Sequence, residues 1–321
     1  MTTRPTRLEW LLFLALGFMW GSSYLFIKIA VDDFGTFTLV ALRLAIGAAL
    51  LWVVIRAAHQ ELPRERRIYG HLVVMAVVNI VIPFALITWA ERSVDSSIAA
   101  ILTSAVPLFA IVIAPLFLPD EPIRVNGVFG LLIGFVGVVV LTSRGLGAGA
   151  GSDITGEIAL LGAALSYAVG AVYSRRNMRG VRPMIPAVFQ VTFAMLIAGA
   201  IALVTEHPWD VRPGIESIFA IIWLGILGSG VAYLVNFRLL ASWGATRTTL
   251  VAYVIPVVGI VLGYLVLAEP VDGRLILGTL FVVAGVALVN SPYGRRRLFG
   301  RGGVPAAEPK AESKPAEATP G

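Results

Sequence analysis

Long apolar runs broken by short polar stretches predict ten helices, near residues 8–30, 36–56, 68–90, 95–118, 123–143, 155–175, 184–204, 216–238, 244–268 and 271–291. Each run approximates the ~20 apolar residues that cover a ~30 Å hydrocarbon core at ~1.5 Å per residue. The first run follows Arg4 and Arg7, as a signal peptide would. Its apolar stretch is longer than a secretory core of ~7–15 residues, and no small-x-small cleavage site follows before Asp32, so it reads as a retained helix. The pattern predicts an all-α integral membrane protein.

Composition agrees. The 321 residues are 58% hydrophobic and 14% charged, against about 25% charged in an average soluble domain. That balance excludes an ordinary soluble enzyme. The absence of cysteine removes disulfides, thiolate nucleophiles and the commonest zinc sites. The formal charge of +6 is explained by orientation rather than by nucleic acid, for which no partner role is expected. With a cytoplasmic N-terminus, nineteen of the Lys and Arg residues fall in cytoplasmic segments and only Arg92, Arg144, Arg212 and Arg274 outside. Lys28 and Arg43 lie within spans. Both termini are therefore expected in the cytoplasm of a cell with a plasma (inner) membrane.

The chain also repeats itself. Pro107 stands opposite Pro256, Glu121-Pro122 opposite Glu269-Pro270, Gly130 and Gly137 opposite Gly278 and Gly285. Trp20 pairs with Tyr167, Lys28 with Arg175 and Arg43 with Gln190, each 147 residues apart. This divides the chain into a first repeat (1–146, helices 1–5), a Gly-rich outer linker (147–154), a second repeat (155–292, helices 6–10) and a disordered cytoplasmic tail (293–321) rich in Pro, Ala, Glu and Lys. Five spans per repeat place the second copy upside down. Inverted repeats are the architecture of many secondary transporters, with substrate held near the midplane between them.

Trp20-Gly-Ser-Ser-Tyr24 in helix 1, Ala41-Leu-Arg-Leu44 in helix 2 and the paired Pro107/Glu121-Pro122 and Pro256/Glu269-Pro270 segments resemble the drug/metabolite transporter superfamily, specifically its EamA-type members. The resemblance covers roughly residues 8–292. It implies a ten-helix inner-membrane carrier in which helices 1–4 and 6–9 surround a central cavity and helices 5 and 10 support it from outside. It also implies export of amino acids or other small metabolites by alternating access, without a cofactor.

Arg43, about seven residues into helix 2, is the foremost candidate for substrate contact. A cation at that depth costs at least ~2.5–3.5 kcal/mol on insertion scales. Two readings are open: it meets a substrate carboxylate, or its stem snorkels to the headgroups or to a helix-end carbonyl. Lys28 and Arg175, at helix ends, read as snorkelling. Pro107 and Pro256 read as hinges or cavity wall, since each frees a carbonyl one turn back. Asn79, Gln190 and Asn236 lie deep in spans, where substrate contact competes with interhelical hydrogen bonding. Trp20, Tyr24, Trp89, Tyr167, Tyr233 and Tyr253 are candidates for an aromatic cavity wall. The Gly127, Gly130, Gly134 and Gly137 stripe of helix 5 reads as close helix packing, with a homodimer face as the alternative.

No Asp or Glu lies in the middle of a span; Asp32, Glu91, Asp95, Glu121, Glu157 and Glu269 all fall near ends. This disfavours a pump for lipophilic cations, which relies on an intramembrane carboxylate. It predicts a neutral-to-basic cavity. An intramembrane enzyme is also disfavoured. His59 and His207 are in loops, His71 is near a helix end, and neither a His-Glu-x-x-His motif nor an intramembrane Asp pair is present, so no catalytic or metal site is expected. The alternatives left open are a multidrug or nucleotide-sugar-like carrier and a non-transporting sensor or scaffold.

Overall fold

The computed structural model describes residues 6–59, 65–118, 121, 123–143, 154–178, 181, 184–291 and 297–299. Among the described residues, ten helices are long and apolar enough to cross a bilayer: α1 (Arg7–Ala30), α2 (Thr36–Ala57), α3 (Arg66–Ala90), α4 (Ser96–Phe117), α5 (Val125–Thr142), α6 (Ile154–Asn177), α7 (Met184–Thr205), α8 (Ile215–Trp243), α9 (Thr249–Leu267) and α10 (Gly273–Asn290). Their outward faces carry exposed apolar side chains such as Leu116, Phe129, Leu132, Val204, Phe219 and Leu265. In water that surface would be costly; in hydrocarbon it is matched. The chain is a multi-pass membrane protein.

Helix ends follow local chemistry. A capping box opens α1: Glu9 N–H donates to Thr6 Oγ1 (3.3 Å), and Thr6 N–H to Glu9 Oε2 (2.8 Å). Asp272 caps α10 through Leu275 N–H (2.8 Å). The largest boundary differences are at α8, expected to stop near 238 but helical to Trp243, and at α9, expected from 244 but spanning from Thr249. The Gly-rich linker lies outside the described residues, as does most of the tail. Within the tail, however, Arg297–Phe299 pairs antiparallel with Ile123–Arg124. That short segment is thus structured against the α4–α5 connection, because its backbone finds a ladder there that composition does not reveal.

The packing obeys a two-fold pattern. α1 packs on α9 as α6 packs on α4; α2 packs on α8 as α7 packs on α3; α2 meets α7 and α5 meets α10. Exchanging the two halves maps each of these pairs onto another of them or onto itself. The α5–α10 contact is the closest. A Cβ on Gly130 would stand 2.6 Å from Gly285 O, one on Gly137 2.7 Å from Gly278 O, and one on Gly285 2.5 Å from Gly134 N. The glycine stripe is therefore covered within the chain, by α10 at Gly130 and Gly137 and by Ile111 and Leu108 of α4 at Gly127 and Gly134.

Three features of the backbone escape a hydropathy reading. α3 contains a π segment, Val77–Val81, and α8 another, Leu224–Val231, starting 147 residues later. Ile82 N–H bonds Val77 O, and Ala232 N–H bonds Leu227 O, both five residues back. In α3 the wide turn precedes Pro83, which has no N–H to donate; in α8 it runs through Gly225, Gly228 and Gly230. α4 breaks between Thr103 and Val106, just before Pro107, and α9 opens with a 3₁₀ stretch, Thr249–Tyr253, just before Pro256. The matched prolines thus fall at matched interruptions of the helix.

Candidate functional site

Both π segments come up to Arg43. Its guanidinium is 3% exposed, lies 4.4 Å from the centroid of the Phe84 ring, and donates from Nε to Ser229 Oγ at 3.3 Å. Phe84 follows the α3 π segment and Ser229 sits within that of α8. A Cβ on Gly228 would meet Arg43 Nη2 at 3.3 Å, so the glycine leaves the fork its room. Among the described residues Arg43 pairs with no carboxylate. It does not snorkel; it is held inside the bundle by a ring face and a hydroxyl, with most of its donors uncommitted.

Tyr24, Tyr167 and Tyr233, from α1, α6 and α8, gather close enough to interact electrostatically with the same guanidinium. All three are partly buried. Tyr24 OH lies 2.5 Å from Thr103 Oγ1; Thr103 already donates to Ala99 O (2.6 Å), so Tyr24 is the donor. Trp20 stands edge-on to Tyr233 with centroids 6.5 Å apart, extending an aromatic wall toward the face where α1 begins and α10 ends. That face is called here the terminal face.

Asn79 and Gln190 are brought together: Asn79 Nδ2 donates to Gln190 Oε1 (3.3 Å), and Gln190 Nε2 to Pro186 O (3.0 Å). Ser166 Oγ donates to Val78 O (2.6 Å), occupying a carbonyl in the π segment. Gly170 lets α6 approach, since a Cβ there would stand 2.8 Å from Asn79 Oδ1. Other expected members stand apart. Trp89 is 45% exposed and turned outward, because its position on α3 falls on the lipid-facing side. Tyr253 OH accepts from Asn290 Nδ2 on α10 (3.0 Å) instead of facing Arg43. Asn236 is partly buried one turn beyond Tyr233.

The helix-end cations, read from sequence as snorkelling, find partners at those ends. Arg175 forms an ion pair with Glu121. Lys28 Nζ donates to the carbonyls of Glu91 (2.6 Å) and Val94 (3.0 Å). On the face opposite the termini, acids from the second half cap helices of the first. Glu206 accepts from Phe37 N–H (2.8 Å) and Thr38 N–H (2.7 Å) at the start of α2; Glu269 accepts from Ser96 N–H (2.7 Å) and Ser97 N–H (3.0 Å) at the start of α4. Asp33 of the first half accepts from Gly214 N–H at the start of α8 (2.8 Å). Phe84, Ser229 and these capping acids were missed from sequence: nothing in their spacing separates them from packing residues.

Two grooves lie on the flanks of the bundle. One of about 600 Å³ is lined by Phe26, Ile29, Ile215, Phe219 and Leu267 among others, and one of about 330 Å³ by Ile113, Phe117, Val172, Tyr173 and Arg176 among others. Neither is lined by Arg43 or its tyrosines. Among the described residues no group of three or more His, Asp or Glu side chains is placed to hold a metal ion.

A ten-helix membrane protein of two matched halves, with a buried cation and tyrosines between them, has the build of a polytopic carrier. The EamA-like transporter family model matches it twice, over residues 7–143 and 154–291, and the chain belongs to that family. It is 30% identical over 258 residues to an uncharacterized inner membrane transporter, YedA, of Escherichia coli, covering 78% of this chain and 79% of that one. It is 23% identical to an uncharacterized transporter, YoaV, of Bacillus subtilis, covering 87% and 96%. A crystal structure 22% identical in sequence superposes with a TM-score of 0.64 over 88% of this chain and 96% of that one, and shares its fold.

Proposed function

We propose that this protein is a secondary transporter that exports small metabolites carrying a carboxylate, amino acids or their derivatives, by alternating access between its inverted repeats. The observation that carries the reading is Arg43: a buried guanidinium with no acid partner among the described residues, flanked by tyrosine hydroxyls. A carboxylate entering there gains charge-assisted hydrogen bonds in a low dielectric, and the aromatic wall accommodates an apolar side chain. The matched breaks before Pro107 and Pro256 serve as hinges. The nineteen-to-four distribution of Lys and Arg supports a cytoplasmic terminal face in the plasma (inner) membrane.

The test is counterflow of labelled amino acids in proteoliposomes, guided by a thermal-shift screen of purified protein against metabolites. A carboxylate-bearing solute should stabilise the fold and exchange across the membrane, and its descarboxy analogue should do neither. A protein that moves no solute of the panel, or moves the analogue equally well, refutes the reading. For topology, a periplasm-active reporter fused after residue 300 should stay silent.

A further inference from the structure

The two flank grooves are counterparts under the repeat. Phe26 in one and Tyr173 in the other are 147 residues apart, as are Ile29 and Arg176. Val266 and Phe117 are 149 apart, as the matched prolines are. The larger groove lies between the ends of α1 and α9 and the start of α8, on the face opposite the termini. The smaller lies between the ends of α4 and α6, on the terminal face. Both are walled by apolar side chains exposed on the flank, Ile215 and Phe219 in one, Phe117 and Val169 in the other. Such a groove suits a hydrocarbon chain better than a dissolved metabolite.

Their charged ends differ in sign. The larger groove has Glu216, exposed in the first turn of α8. The smaller has Arg176 and Asn177, the last two residues of α6, which places them at headgroup depth. Where one groove has Ile29 the other has Arg176, so only one of the pair is basic. The groups around Arg176 are already engaged. Arg175 pairs with Glu121, and Tyr173 OH bonds His71 Nδ1 at 2.7 Å. Asn177 Nδ2 donates to Tyr173 O (2.9 Å) and has a second N–H to give. Among the described residues Arg176 itself, exposed to the groove, has no carboxylate partner.

We infer that the groove between the ends of α4 and α6 binds an anionic phospholipid from the leaflet on the terminal face. One acyl chain lies along Ile113, Phe117 and Val169, and the phosphate takes charge-assisted hydrogen bonds from the Arg176 fork, with Asn177 as a second donor. One cation near the surface favours a net negative headgroup about fivefold. The counterpart groove, with Ile29 at the matching position and Glu216 at its edge, accepts a chain without that preference. Because α4 belongs to the first half and α6 to the second, the lipid touches both. Nothing in this site depends on what the interior of the bundle carries.

The experiment titrates full-length protein with phosphatidylglycerol or phosphatidylcholine of equal chain length and reads bound lipid by native mass spectrometry. Wild type should hold phosphatidylglycerol about fivefold more tightly. Arg176→Gln should bring the two lipids within about twofold of each other and leave phosphatidylcholine unchanged, while Arg176→Lys keeps most of the preference. Val169→Trp, which fills the groove from a side chain 38% exposed, should weaken both lipids alike. Glycerol phosphate, a head without chains, should not displace the lipid. A photoreactive phenylalanine analogue in place of Phe117 should give phospholipid adducts in membranes. A preference that survives Arg176→Gln overturns the inference, as does equal retention of the two lipids by wild type, which needs no variant to fold. Displacement by glycerol phosphate, or a cross-link from position 117 to residues 300–321 or to a second copy, assigns the groove to another occupant and overturns it too.

Discussion

Arg43→Gln should move stability and function in opposite directions. Holding a cation at this depth costs about 2.5–3.5 kcal/mol on insertion scales. Against this, a desolvated cation–π contact with Phe84 at 4.4 Å returns about 1–2 kcal/mol. The long 3.3 Å bond to Ser229 returns about 0.5 kcal/mol. The ligand-free variant should therefore be more stable than wild type by about 1 kcal/mol. The bound state loses a charge-assisted interaction of about 1.5–3 kcal/mol, which weakens substrate affinity about 10- to 150-fold. Arg43→Lys keeps the charge but not the planar fork over Phe84, and should fall between the two. The assay is thermal unfolding of purified variants with and without substrate, paired with counterflow at equal reconstitution. A Gln variant that unfolds below wild type yet transports at the wild-type rate would make Arg43 a structural residue and refute the reasoning.

Gly285→Ala should destabilise by about 1–3 kcal/mol, because its new methyl meets Gly134 N at 2.5 Å and Gly130 O at 2.6 Å, backbone atoms that cannot rotate away. Gly70→Ala, with nothing within 4 Å, should be neutral or stabilising by up to about 1 kcal/mol; thermal unfolding of the pair checks both signs. Glu269→Ala removes the acceptor for Ser96 and Ser97 N–H and should cost about 1–2 kcal/mol, with faster hydrogen exchange at those two amides. Asp33 is held below the usual carboxylate range by Ser217 and by Gly214 N–H. Its contribution is present above the unfolded-state value near pH 4 and is lost as pH falls through the folded one. An acid titration of stability should lose that limb in Asp33→Asn.

The ten spans were legible because lipid imposes a length and a composition on every crossing, and α1 to α7 lie within a few residues of where hydropathy puts them. The repeat was legible because the same packing problem recurs: Gly130 and Gly137 align with Gly278 and Gly285, and the two helices cross there, Gly130 meeting Gly285 and Gly137 meeting Gly278. The π segments were not legible, since inserting one residue into a turn leaves mean hydropathy unchanged. Helix face was equally hidden. In a span apolar all round nothing marks which side meets lipid, so Trp89 and Tyr24 read alike although one is exposed and the other bonds Thr103 within the bundle. The burial of Glu91 was hidden for a third reason. Distance from a helix end measures depth only if the end is wet, and here Lys28 and the start of α6 cover it.

The departures from the repeat show where the two halves do different work. Gln190 occupies in α7 the position that Arg43 holds in α2, yet one bonds its neighbours and the other keeps donors free, so positive charge enters the interior from one side only. Lys28 and Arg175 are equivalent too. Arg175 meets Glu121 at a half-exposed ion pair, whereas Lys28 takes carbonyls and leaves the buried Glu91 without a bond. The counterpart of Glu91 at the same offset is Arg238, an exposed residue. On the transport reading, two inverted copies would reach either end state by exchanging the conformations of their halves. Identical side chains would then give the two states equal free energies, and solute gradients alone would set the direction of flux. One cation and one unbonded acid on a single side of that symmetry would make the states differ in what they bind, and differential binding is what moves such an equilibrium.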